Sequence, residues 1–186
     1  PEERLQLLIA EAALLRDARQ TQAALDLLEQ ALSKDPDQPD LLYESALLAE
    51  KLGRMEILES RLRRLIELRP DSAQAYNALG YSYADRNLRL AEARELIEKA
   101  LALSPDDTFI IDSWGWVLYR QGDLAGALSQ LERAYAQRDD PEIAAHLGEV
   151  LSVLGRAEEA RRILTEAQQK HPDNDTLTDA VKKFAP

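Results

Sequence analysis

The chain has 186 residues, an apolar fraction of 45% and a formal net charge of −11. This apolar fraction is normal for a folded domain, and the acidic charge disfavours nucleic-acid binding, which depends on neutralising phosphates. The absence of cysteine excludes disulfides, thiolate catalysis and cysteine-based metal sites, and no stretch approaches the roughly 18 apolar residues of a membrane span.

The start of the chain predicts a fragment of a longer protein. A helical pattern begins at Leu5, directly after Pro1, and no signal peptide precedes it. We therefore expect any anchor or targeting segment to lie in the rest of the protein. The first segment also predicts an apolar N-terminal face that meets either further repeats or another copy. Its leucines are Leu7, Leu8, Leu14 and Leu15.

Prolines recur along the chain at a near-constant interval, which indicates a repeated structural unit. Pro36 and Pro70 are 34 residues apart, Pro105 follows 35 residues later, and Pro172 comes two such intervals further on. Because proline cannot continue a helical hydrogen-bond ladder, a helix should end near each of them. Alignment on the prolines predicts five units and a final helix: 5–38, 39–72, 73–107, 108–140, 141–174 and 175–184.

Aligned positions of the five units carry the same types of residue. The eighth is always small, as is needed where two helices cross closely: Ala12, Ala46, Gly80, Gly115 and Gly148. The twenty-fourth is a large apolar residue: Leu28, Leu62, Ile97, Leu131 and Leu164. The fifteenth is Gly or Asn in four units, which predicts a left-handed turn between two helices. Its members are Arg19, Gly53, Asn87, Gly122 and Gly155.

These positions resemble the tetratricopeptide-repeat (TPR) pattern. The third unit is the nearest match, with Tyr76, Leu79, Gly80 and Tyr83 at the spacing of that pattern, followed by Ala93, Ile97 and Pro105. The resemblance covers almost the whole chain. It implies an all-α fold, a right-handed superhelix of five helix-turn-helix repeats with a C-terminal capping helix, forming a single solenoid.

The resemblance also implies a concave groove lined by the first helix of each unit. In such repeats, positions 2, 5, 9, 12 and 13 point into the groove, and aromatic residues concentrate there in this chain. Exposed aromatics are common binding anchors, although the adjacent helix would bury some of them. The predicted partner-binding residues are Tyr43, Asn77, Tyr81, Phe109, Asp112, Trp116, Tyr119, Arg120 and Glu149. Trp114 is predicted to lie in the core, and the lack of lysine at positions 5 and 9 disfavours a clamp for chaperone tails.

No pattern in the sequence predicts catalysis, a cofactor or a metal. His146 and His171 occupy different repeat positions, no zinc motif accompanies them, and both are interpreted as structural. The carboxylates are expected on solvated helix faces, with no acid paired with a base in an apolar pocket. An enzyme is therefore the least favoured interpretation, and the expected partner is a protein or peptide.

Two segments carry a closer resemblance, 112–122 (Asp-Ser-Trp-Gly-Trp-Val-Leu-Tyr-Arg-Gln-Gly) and 140–150 (Asp-Pro-Glu-Ile-Ala-Ala-His-Leu-Gly-Glu-Val). They resemble the C-terminal repeats of proteobacterial outer-membrane TPR lipoproteins, a group that includes an adaptor for a carboxyl-terminal processing protease. The resemblance implies a periplasmic, outer-membrane-anchored adaptor that binds the protease, its substrate or both. Two alternatives stay open: an assembly module that forms homo-oligomers or packs on further repeats, and a cytoplasmic TPR cofactor that binds an extended peptide.

Overall fold

A computed structural model describes residues 2–185 of the chain. Over that range the structure contains eleven α-helices and no strand, which confirms the predicted all-α fold of helix pairs. Each of the five predicted units holds one antiparallel pair, and the last helix follows them. The helices are α1 (Glu2–Asp17), α2 (Thr21–Leu32), α3 (Pro39–Lys51), α4 (Met55–Leu68), α5 (Ala73–Asp85), α6 (Leu90–Leu103), α7 (Thr108–Arg120), α8 (Leu124–Gln137), α9 (Pro141–Val153), α10 (Ala157–Lys170) and α11 (Asp175–Phe184).

Polar side chains start several of the first helices by capping their free backbone N–H groups. Asp107 accepts hydrogen bonds from the N–H groups of Phe109 and Ile110, which begins α7. Asp140 caps α9 in the same way, and Pro141 follows it at the first helical position. Because Asp107 and Asp140 fix where α7 and α9 begin, they also fix the register of the side chains along both helices.

The turn inside every helix pair contains a left-handed residue, as the fifteenth position predicts. The φ angles are 60° at Arg19, 67° at Gly53, 55° at Asn87, 87° at Gly122 and 79° at Gly155. Arg19 adopts this conformation despite its side chain, because the turn bonds from Arg19 N to Arg16 O and from Gln20 N to Leu15 O require it. The third unit has 35 residues, one more than each of the first two, and it contains a second left-handed residue, Arg89, at φ 43°.

The helices form two compact units, the first ending at Ser82 and the second beginning at Tyr83, so the boundary lies within α5. The core of the first unit contains the fully buried leucines of the second helices, among them Leu28 and Leu62. In the second unit, α11 packs on α9 and α10 and buries Leu177 there, while Lys182 and Lys183 are exposed. The final helix therefore covers the apolar end of the last pair.

In the second unit, a glycine of the first helix packs against a leucine of the second helix in two pairs, α7 with α8 and α9 with α10. A Cβ placed on Gly115 of α7 would lie 2.7 Å from Leu131 Cγ of α8. A Cβ placed on Gly148 of α9 would lie 2.5 Å from Leu164 Cγ of α10. Both distances are too short for carbon atoms, so glycine is what permits the close crossing that the eighth and twenty-fourth positions predict.

Candidate protein-binding site on α7 and α9

One helix face of α7 carries four of the predicted partner-binding residues. Asp112, Trp116, Tyr119 and Arg120 follow one another at helical spacing, so they share a side of α7. That side meets α9, the first helix of the next pair. Across the junction, α9 contributes the predicted residue Glu149 together with His146, for which the sequence predicts a structural role. These six residues form one continuous group, here called the α7–α9 cluster.

Asp112 and His146 form a buried acid–base pair at the centre of the cluster. His146 Nδ1 lies 3.0 Å from both carboxylate oxygens of Asp112, and the two residues are 5% and 6% exposed. Since an ionised carboxylate only accepts hydrogen bonds, Nδ1–H is the donor. Burial alone would lower the pKa of His146, but the carboxylate of Asp112, with smaller contributions from Glu142 and Asp85, holds the pKa above its ordinary value.

This pair corrects the expectation that no acid meets a base in an apolar pocket. Asp112 and His146 are 34 residues apart, one repeat, but they occupy the fifth position of one unit and the sixth of the next. Comparison of identical repeat positions therefore misses the contact. The signal that could have revealed it is the stacking of neighbouring repeats, which here places the fifth position of α7 beside the sixth position of α9.

Trp116 lies in the middle of the cluster and is only 3% exposed. Its indole stacks on the His146 imidazole, with ring centroids 4.1 Å apart and planes inclined by 23°. The ring of Tyr119 lies 5.0 Å away, and the guanidinium of Arg120 lies 4.8 Å from the indole centroid. The indole N–H has no acceptor among the residues that the structure describes. Side chains of this chain thus hold the indole of Trp116 in place, but they leave its N–H without a hydrogen-bond acceptor.

Tyr119 and Arg120 tie the cluster to its surroundings. The Tyr119 hydroxyl donates a hydrogen bond of 2.9 Å to Glu149 Oε1, so it links α7 directly to α9. Partial burial, and then the nearby Glu149 carboxylate, raise the pKa of Tyr119 to about 12. Arg120 Nη2 donates to the backbone carbonyl of Asp85 at 2.9 Å, while its Nε is buried without an acceptor in the described part of the chain.

Phe109 is the exposed aromatic of this region. It lies near the start of α7, it is 45% exposed, and the guanidinium of Arg138 lies 4.9 Å from its ring centroid. Trp114, predicted to lie in the core, is only partly buried, and Arg94 lies over its ring at 5.0 Å. Trp114 packs against the hydrophobic core of the second unit, while Arg94 of α6 lies on its exposed side.

The remaining predicted residues lie in the first compact unit. Tyr43 is half-buried and lines a pocket of about 410 Å³ together with Asp40, Arg69 and Gln74. Asn77 is half-buried, and its side-chain oxygen has no donor within residues 2–185. Tyr81 is half-buried as well. Of the nine predicted residues, the structure thus gathers five in the α7–α9 cluster, with Phe109 on the same helix.

The described range offers neither a membrane span nor a metal site. None of the helices between residues 2 and 185 is both long and apolar enough to cross a bilayer. Within the same residues, no three His, Asp or Glu side chains come together in an arrangement that could hold a metal ion.

Comparisons with known proteins agree with this architecture. One family model described as tetratricopeptide repeat matches residues 9–56 and 59–108, and a second of the same description matches residues 118–182. The chain is 46% identical over 149 residues to TPR repeat-containing protein PA4667 of Pseudomonas aeruginosa, an alignment that covers 80% of this chain and 25% of that relative. The chain thus spans about a quarter of the length of that curated relative.

Solved structures give the same picture. A thermophilic TPR protein of Thermus thermophilus superposes with a TM-score of 0.83 at 25% identity, covering 97% of this chain and 96% of the other. PilW, a widely conserved type IV pilus biogenesis factor, superposes with a TM-score of 0.76 at 21% identity, covering 95% of this chain and 86% of the other, which shows a shared fold. The repeats in the sequence, the helix pairs and these matches agree: the chain belongs to the tetratricopeptide-repeat family.

Proposed function

We propose that this chain is the protein-binding part of a non-enzymatic adaptor that holds a processing protease, a substrate of that protease, or both. Tetratricopeptide repeats mediate protein–protein interactions, so the coarse role as a binding scaffold follows from the family. The observation that carries the proposal is the α7–α9 cluster, where aromatic and charged side chains concentrate on two consecutive first helices. An adaptor of this kind acts by raising the effective concentration of one protein beside another.

The choice of partner is supported by resemblance. The segments 112–122 and 140–150, which resemble repeats of outer-membrane TPR lipoproteins, supply all six residues of the α7–α9 cluster. The matched Pseudomonas relative is also about four times as long as the aligned region, so there is room in such proteins for an anchor and further repeats. The proposal therefore includes a periplasmic location and attachment to the outer membrane, with a cytoplasmic peptide-binding cofactor as the alternative.

A pull-down with the purified chain tests this function. The bait variant combines Phe109→Ala with Val153→Ser, because both side chains are exposed beside the cluster, at 45% and 51%. The control variant combines Leu88→Ala with Leu103→Ala, two exposed leucines of the same compact unit. Capture of the carboxyl-terminal processing protease of the same organism should drop for the first variant only. Equal capture by both variants and the wild type would show that binding of the protease does not depend on Phe109 or Val153.

The N-terminal helix supports a second candidate, the assembly module. Leu7 and Leu14 lie seven residues apart on α1 and are 70% and 71% exposed, far more than leucine usually is. Such an apolar strip favours contact with another copy or with further repeats. Sedimentation velocity of the wild type and of a Leu7→Glu, Leu14→Glu variant tests it. A concentration-dependent dimer that disappears in the variant is expected, and a monomer at every concentration argues against self-association.

A further inference from the structure

Three later first helices bury the positions that α1 leaves exposed. The helices α3, α7 and α9 pack on the second helices of the preceding pairs, α2, α6 and α8. Their third and tenth positions are apolar and at most 4% exposed: Leu41, Leu48, Ile110, Val117, Ile143 and Val150. The same positions of α1 hold Leu7 and Leu14, which are 70% and 71% exposed. This face of α1 therefore has the chemistry of a surface that is buried elsewhere in the chain.

The last helix, α11, carries the same apolar stripe as α1. It packs on α10 as α9 packs on α8, so it takes the place of a sixth first helix. Both helices have a large apolar residue at the third and tenth positions and alanine at the sixth: Leu177, Ala180 and Phe184 in α11, and Leu7, Ala10 and Leu14 in α1. In α11 the first two are buried, and the third packs against the core that they share with α9 and α10. The surface beneath α11 thus accepts a stripe of the kind that α1 exposes.

The attachment of α11 to this surface is open to competition. It has only ten residues, whereas α1 has 16. A helix of ten residues is marginal in isolation, so α11 depends on its packing against α9 and α10. Because it is the last element, it can open without unfolding the helices before it. A longer helix with the same stripe can therefore replace it, once its concentration offsets the advantage that α11 gains from being tethered.

The polar residues of α1 are compatible with this surface. Glu11, at the seventh position, is exposed, and α11 has the half-buried Val181 there. In the first unit, the seventh-position residue Ser45 of α3 donates a hydrogen bond to Glu29 of α2. The equivalent of Glu29 on α10 is Thr165, whose exposed hydroxyl can donate to the carboxylate of Glu11. Two acidic and two basic exposed residues near Thr165 on α10 balance one another: Glu158, Arg161, Arg162 and Glu166.

We propose that α1 of one copy docks through Leu7, Ala10 and Leu14 on the surface of α9 and α10 that α11 covers in a second copy. The helix α11 is then an intramolecular cap that limits assembly, because it must leave before another copy can stack. The contact is head-to-tail, since it joins two different surfaces of the same chain. The inference rests on the second candidate function, the assembly module, and names the surfaces that this module uses.

A mixing experiment with full-length chains tests the docking. The acceptor variant carries Leu177→Ser and Phe184→Ser, which release α11, together with Leu7→Glu and Leu14→Glu, which block its own α1. The donor is the wild type. Sedimentation velocity should show a one-to-one complex of acceptor and donor, about tenfold tighter than the wild-type dimer, because α11 no longer competes for the surface. The acceptor alone should be a monomer, and circular dichroism verifies that it is folded.

Two altered donors serve as controls. A donor with Leu7→Glu and Leu14→Glu should not bind the acceptor. A matched donor with Leu88→Glu and Leu103→Glu gains the same charge at two other exposed leucines and should bind like the wild type. Absence of the complex, or self-association of the acceptor alone, would overturn the proposed docking. If the wild type still formed a dimer without this complex, the assembly function would stand and its contact would be a different one.

Hydrogen exchange of the wild type gives a measurement that leaves α11 unaltered. As the chain concentration rises, the amides of α11 should exchange faster, because α1 of a second copy displaces it. The amides of α1 should exchange more slowly. Neither change should occur in the Leu7→Glu, Leu14→Glu variant. Constant exchange of α11 at concentrations where the wild type is a dimer would overturn the proposal, whether or not the acceptor variant folds.

Discussion

His146 Nδ1 lies 3.0 Å from each carboxylate oxygen of Asp112, in a contact that joins two consecutive repeats at a buried point. The pair has no equivalent at the same positions of the other units, where the fifth and sixth residues are of different types. Trp116 stacks on the imidazole, so the geometry of the pair and that of the candidate binding face are linked. Changes in this contact should therefore affect both stability and binding.

The first prediction concerns pH. The pKa of His146 in the folded chain is raised above its ordinary value of 6.5 by Asp112, so folding favours the protonated imidazole. The stabilisation is fully present below that ordinary value and is lost as the pH rises through the raised, folded-state value. Urea unfolding across this range should show stability falling with rising pH in the wild type and in His171→Gln. The fall should be smaller in His146→Gln, and the same slope in all three proteins would contradict the assignment.

The second prediction concerns coupling between the two partners. Asp112→Leu leaves a buried imidazole without its acceptor, and His146→Leu leaves a buried carboxylate without its donor, so each should cost about 3 kcal/mol. The double variant removes both polar groups and should cost less than the sum by about 2 kcal/mol. Chemical denaturation of the four proteins gives the coupling energy. Additive costs would mean that the two side chains do not interact energetically.

The contrast between the turns and this pair shows what the sequence could and could not predict. A residue such as Gly53 predicts a left-handed turn from the local sequence alone, because few residues tolerate positive φ. All five turn positions do have positive φ. The partners of His146 depend on how one first helix is displaced against the next, a relation between repeats that no single unit contains. The repeat position of Trp116 predicts a place in the groove, but the same displacement buries its side chain between α7 and α9.

A third prediction follows from Arg19, the one long side chain among the turn residues. It is exposed and adopts φ 60°, a conformation that is strained for arginine and relaxed for glycine. Arg19→Gly should therefore stabilise the chain by about 0.5–1 kcal/mol, despite the added freedom of glycine in the unfolded state. Thermal or urea unfolding measures the change. Asn87→Gly is the matched control and should gain less, because asparagine already tolerates φ 55°.

The fourth prediction tests the interlocking of Gly148 and Leu164. A methyl group on Gly148 would lie 2.5 Å from Leu164 Cγ, so Gly148→Ala should destabilise the chain by about 1–3 kcal/mol through overpacking. In a Leu164→Ala background the clash is gone and a cavity is present, so the same substitution should become stabilising by about 0.5–1 kcal/mol, since alanine favours the helix over glycine. Urea unfolding of the four proteins measures both effects.

This change of sign separates packing from backbone effects. Gly155→Ala provides the comparison, because Gly155 has φ 79° and no atom within 4 Å of an added Cβ. Its cost of about 1 kcal/mol comes from backbone strain alone and should be the same with Leu or Ala at position 164. If Gly148→Ala also cost the same in both backgrounds, the close crossing of α9 and α10 would not depend on this contact. The small and large residues at the eighth and twenty-fourth positions would then need another physical reason.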